Sequence, residues 1–73
     1  MLAIDRITSN PNIMTGKACI RGMRITVSIV LNLLATGLSK KEIIELYPYL
    51  EDEDIDQCLN YAAYLAEDQL FTI

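Results

Sequence analysis

Seventy-three residues make one domain at most, and a chain of this size buries only about 60% of the surface it exposes when unfolded, so self-association is expected. Apolar residues form 52% of the chain, yet no run reaches the roughly 18 residues of a membrane span and no secretory signal opens the chain, which predicts a cytoplasmic protein without membrane contact. The net charge of −4 is divided: all six bases (Arg6, Lys17, Arg21, Arg24, Lys40, Lys41) precede Glu42, where Asp5 alone opposes them, and nine acids follow with no base among them.

The whole chain, 1–73, reads as one domain, a β arm over 1–26 and a three-helix region over 27–73. In the arm, β-branched residues are interrupted by Asn10-Pro11-Asn12, Gly16 and Gly22, which predicts short strands joined by turns. Ile4 and Ile7 open the first strand. Ala18-Cys19-Ile20, Arg21-Gly22 and Met23-Arg24-Ile25 then predict a tight hairpin, with a bulge at Gly22 as the alternative.

Helix one is predicted from Val27 to Thr36, capped by Thr26 and ended by Gly37. Its polar residues Ser28, Asn32 and Thr36 recur every four positions, one narrow stripe on an otherwise apolar helix. Ser39-Lys40-Lys41-Glu42 is a capping box for helix two, with Leu38 and Ile43 as its hydrophobic staple, and Pro48 ends that helix near Leu46 or Tyr47. The Gly37-Leu38-Ser39 linker is the short connection of a helix-turn-helix. Helix three is predicted from Glu51 or Asp52 to Asp68, with Leu50 and Ile55 as a second staple and acids placed against the helix dipole. Ile55, Cys58, Leu59, Ala62 and Ala66 are its expected core stripe. Gln57, Asn60, Tyr61, Tyr64, Asp68 and Phe71 form the opposite one, and the aromatic members mark a protein interface at Tyr61, Tyr64, Asp68 and Phe71. The competing reading is that tyrosines tolerate exposure and the tail frays.

The residues give catalysis nothing to work with. Histidine is absent, removing the usual general base and the commonest nitrogen metal ligand. Cys19 and Cys58 are too few for a zinc site or a disulfide framework and read as reduced core residues. Glu51-Asp52-Glu53-Asp54 is contiguous, so its carboxylates fan around the helix axis and no metal site is expected. The glycines fit neither a P-loop nor a dinucleotide fingerprint. The expectation is a non-enzymatic protein without cofactors that acts by binding.

Asn10-Pro11 and the segment Gly16-Lys17-Ala18-Cys19-Ile20-Arg21-Gly22-Met23-Arg24-Ile25-Thr26-Val27 resemble the signature of the bacterial family catalogued as domain of unknown function 433. Gly37-Leu38-Ser39, Glu42-Ile43, Tyr47-Pro48 with Leu50, and Asp54-Ile55 agree with it in order and spacing. Ala18 stands where the family usually has proline and Met23 where threonine is common. The resemblance implies a mainly α, tri-helical, homeodomain-like fold behind the β arm. It also implies an antitoxin role, since many such proteins are encoded beside a small PIN-like ribonuclease.

Three functions remain open, and the first two can hold together in an antitoxin that also binds operator DNA. An antitoxin would aim Arg21 and Arg24 at the clustered carboxylates of a ribonuclease site. A DNA-binding regulator, acting without a toxin, would set a dimer's Lys17, Arg21, Arg24, Lys40 and Lys41 against phosphates, with the arm and the start of helix two making contact because helix three begins with four acids. A dimeric scaffold would use the aromatic stripe alone. Against all three, a hairpin arginine can instead pair with helix-three acids inside one fold.

Overall fold

A computed structural model describes residues 4–68. It contains β1 (Ile7–Thr8), a single 3-10 turn at Met14–Gly16, β2 (Cys19–Ile20), and three helices: α1 (Val27–Ala35), α2 (Lys40–Leu46) and α3 (Asp52–Asp68). The domain is mainly helical and tri-helical behind a short N-terminal β hairpin.

β1 and β2 pair antiparallel, with Ile7 opposite Ile20 and Thr8 opposite Cys19. On its other side β2 meets the chain returning toward α1: the Ile20 N–H donates to Ile25 at 3.0 Å, and Cys19 bridges Thr26. The turn between is the expected two-residue one, closed by the Met23 N–H to Ile20 O bond at 2.9 Å. Both central residues have positive φ, Arg21 at 48° and Gly22 at 72°, the pattern of a type I′ turn. Glycine adopts that conformation freely, whereas arginine requires compensation elsewhere. Its side chain's ion pair with Asp54 and hydrogen bond to the Tyr49 carbonyl offset that cost.

The helix boundaries follow local signals. The Thr26 hydroxyl accepts the Ile29 N–H at 3.2 Å and starts α1, while Gly37, at φ 100°, lies just beyond its C-cap Thr36. Ser39 and Glu42 form the full capping box, the Ser39 N–H donating to the Glu42 carboxylate at 2.9 Å and the Glu42 N–H to the Ser39 hydroxyl at 3.1 Å, and hydrogen bonding from the Ser39 backbone and then its hydroxyl holds the Glu42 carboxyl below its ordinary range. Leu50 and Ile55 both enter the core, as does Ile43, and Leu38 packs against that core from the partly buried shell.

The core joins Ile20, Ile25, Val27, Val30, Ile43, Leu50, Ile55 and Cys58. Both cysteines are free thiols in buried positions, and burial, helped by the charge of Asp54, pushes the Cys58 thiol up to about 12.

The predicted faces of α3 need correction. Asp54, Ile55, Gln57 and Cys58 are its buried residues, and Tyr61 packs against the core. Leu59, at 46% exposure, and Ala66 face outward. Counting apolar residues alone rotated the stripe, because two positions of the buried face carry polar side chains that the arm satisfies. Gln57 is 1% exposed: its amide oxygen accepts the Arg6 backbone N–H at 2.7 Å and its nitrogen donates to Asp5 at 2.8 Å.

Candidate functional site

Asp54 lies at the centre of the polar contact between arm and helix. As the third residue of α3 it reaches back to the helix start, accepting the Glu51 N–H at 2.8 Å, and so caps the free amide there. Its side chain is fully covered, and two arm arginines converge on it. Arg21 donates through Nε to Oδ1 at 3.1 Å and through Nη2 to Oδ2 at 2.9 Å, a bidentate fork, and also reaches the Tyr49 carbonyl at 2.8 Å. Arg6 reaches Oδ1 at 3.0 Å, and pairs with Glu51 and, at 3.3 Å, with Glu53.

Burial pushes the Asp54 carboxyl up, but the bonds from Arg21, the Glu51 amide and Arg6 outweigh it, leaving the group below the usual carboxylate range. Arg6 is raised, chiefly by its bond to Glu51 and then by Asp54, and Arg21 is raised chiefly by Asp54. These groups therefore stay charged together, and the arm is latched to α3. Among the described residues no buried side-chain nitrogen or oxygen lacks a partner.

The predicted binding cations divide accordingly. Arg21 is committed to Asp54. Lys40 bridges Asp56 at 2.9 Å and Asp52 at 3.1 Å, the two bonds that raise its pKa. Lys17, Arg24 and Lys41 are exposed and make no ion pair among the described residues. Thus Arg21 and Arg24, three positions apart on one hairpin, both reach solvent, but among the described residues only Arg21 is ion-paired.

Of the predicted interface residues, Tyr61 is half-buried on the core, Tyr64 is 44% exposed, Asp68 is the last residue of α3, and Phe71 lies outside the described residues. Tyr61 and Leu65 line a shallow groove of about 440 Å³ together with Leu31, Val27, Ala18 and, at its rim, Lys17. A second hollow of about 410 Å³ lies between α2 and the start of α3, lined by Lys41, Ile44, Glu45, Pro48 and Asp52. The described residues contain no cluster of metal-ligating side chains and no helix long and apolar enough to cross a membrane.

Three participants were missed by reading the sequence for function. As sequence, Arg6 reads only as a base, Asp54 as one of four helix-start acids and as half of the Asp54-Ile55 match to the family, and Gln57 as part of the outer stripe. A signal existed for the second: Asp54, Cys58 and Tyr61 follow the spacing of four and seven residues that defines one helix face.

The profile of the family described as "Protein of unknown function (DUF433)" matches residues 7–62, which includes both strands, Arg21 and Asp54 of the latch and all but the last turns of α3. The chain belongs to this family. No curated protein and no solved structure matches it. Within this DUF433 domain the matched segment holds both Arg21, which the fold consumes, and Arg24, which it leaves exposed.

Proposed function

We propose that this DUF433 protein is an antitoxin that binds and blocks a PIN-like ribonuclease by contact, with no chemistry of its own. The observation that carries the reading is Arg24, an exposed guanidinium without an ion pair among the described residues, on a hairpin held in place by Arg6, Arg21 and Asp54. A planar fork on a rigid support matches the clustered carboxylates of a metal-dependent ribonuclease site. The absence of histidine and the raised Cys58 thiol favour binding over catalysis. For DNA, two of the five proposed cations, Arg21 and Lys40, are already neutralised by acids, and α3 opens with exposed Asp52, Glu53 and Asp56 that phosphates repel.

Co-expression with the product of the neighbouring reading frame tests the proposal, provided that the frame encodes a small ribonuclease. The expected result is copurification and inhibited cleavage, both lost with Arg24→Glu while the fold is retained. Failure of the wild type to copurify, or full inhibition by Arg24→Glu, contradicts it. If the chain instead binds duplex DNA and Arg24→Ala flattens the salt dependence, the regulator reading replaces this one.

A further inference from the structure

The outer part of α3 extends past the core that its inner turns help to form. Tyr61 is the last residue of the helix packed on that core, and Ala63, Tyr64, Leu65, Ala66 and Glu67 are all exposed. Five consecutive residues span more than one turn, so they cover every side of the helix, and four of the five are apolar. A helix apolar on all sides is ordinarily covered. Beside it lies a groove lined mainly by apolar residues, Tyr61 and Leu65 from α3, Leu31 and Val27 from α1 and Ala18 from the arm, with the polar Ser28 and Asn32 of α1 among them.

We propose that this surface is the contact between two copies of the chain, the outer half of α3 from one copy seated in the groove of the other. Three observations select a second copy as occupant. Tyr61 and Leu65 belong both to the groove wall and to the projecting helix, so the surface complements itself, as a two-fold interface requires. The seven residues from Asn60 to Ala66 carry no charge, so chains of net charge −4 approach there without opposing acids at the centre of contact. Lys17, the one charged residue lining the groove, has no ion pair among the described residues, and every charged residue of α3 is acidic. An incoming α3 thus brings apolar side chains to a mainly apolar groove and acids toward Lys17, whereas a nucleic acid would meet one cation and an otherwise uncharged lining. The inference is independent of the antitoxin reading.

Sedimentation of the purified full chain over a concentration series tests it. The wild type is expected to be a dimer. Leu65→Asp, at an exposed position that leaves folding intact, is expected to raise the dissociation constant at least about tenfold, the size of effect typical of a central interface residue. Lys17→Glu is expected to give a smaller increase that shrinks at high salt. Leu46→Asp, on the exposed side of α2, is the control and leaves the dimer unchanged. A monomeric wild type overturns the proposal, as does a Leu65→Asp protein that stays dimeric while circular dichroism shows it folded. Dissociation by Leu46→Asp alone would move the interface to α2 and overturn it equally.

Discussion

The two halves of α3 invert the usual relation between polarity and position. Its inner half, from Asp52 to Cys58, carries four acids and a glutamine, yet buries Asp54 and Gln57 completely beneath the arm. Its outer half carries no charge from Leu59 to Ala66, with acids only in the last two residues, yet leaves Leu59, Tyr64 and Leu65 exposed. Charge in this helix serves cohesion between arm and helix, and apolar surface is what it leaves exposed. The difference arises because a buried carboxylate is stable where arginines and a backbone amide satisfy it, whereas apolar side chains gain nothing from a position beyond the core.

Paired substitutions sharpen that contrast. Ile55→Ala, in the inner half, removes a fully buried side chain and is expected to cost about 2–5 kcal/mol in urea unfolding, while Leu65→Ala, in the outer half, should stay within about 0.5 kcal/mol for the monomer. Comparable losses from both would mean that the two halves are not distinct. Asp54→Ala comes next. It removes the Arg21 ion pair and one of the three that Arg6 makes among the described residues and uncaps the helix start, a loss on the order of 2–3 kcal/mol, at the lower end for a broken buried pair because both arginines reach solvent.

The same latch gives the protein an acid limit. Because the folded Asp54 pKa is depressed, its contribution is fully present above the ordinary carboxyl value and is lost as pH falls through the folded value. Asp54→Asn should flatten the acid side of the stability profile, and an unaltered acid slope would assign that limit to other carboxyls. At the alkaline side the sign is reversed. The Cys58 pKa is raised, so its contribution is complete below the unfolded thiol's value and declines as pH rises from about 9 toward about 12. Cys58→Ala should remove that decline, and persistence of the slope would exclude the thiol as its source.

The smallest effect belongs to the most local device. Ser39→Ala is expected to cost about 1 kcal/mol, because the hydroxyl satisfies one amide at the start of a seven-residue helix. A loss several times larger would show α2 to be coupled to the latch.

Legibility in the sequence follows the same division between local and distant. The Thr26 cap, the Ser39-Glu42 box, Gly37, the Arg21-Gly22 turn and the arrest near Pro48 were readable because each signal acts within a few residues. The pairing of β1 with β2 was not, since Ile7 and Ile20 are joined across an irregular loop and nothing local sets their register. The orientation of α3 was misread for the same reason: the partners of Asp54 and Gln57 lie about fifty residues earlier, at Arg6 and Asp5. Arg21 and Arg24 look alike as residue types, and only the turn geometry shows that Arg21 is directed at the helix. Pairing of hairpin arginines with helix-three acids is thus realised for Arg21, and among the described residues not for Arg24.

The central claim is that Arg21 belongs to the fold and Arg24 to the surface. Urea unfolding of Arg21→Ala and Arg24→Ala beside the wild type measures it most directly. A clearly lowered midpoint for Arg21→Ala with an unchanged one for Arg24→Ala is the predicted result. Equal midpoints for the two variants, or a fall confined to Arg24→Ala, would contradict it.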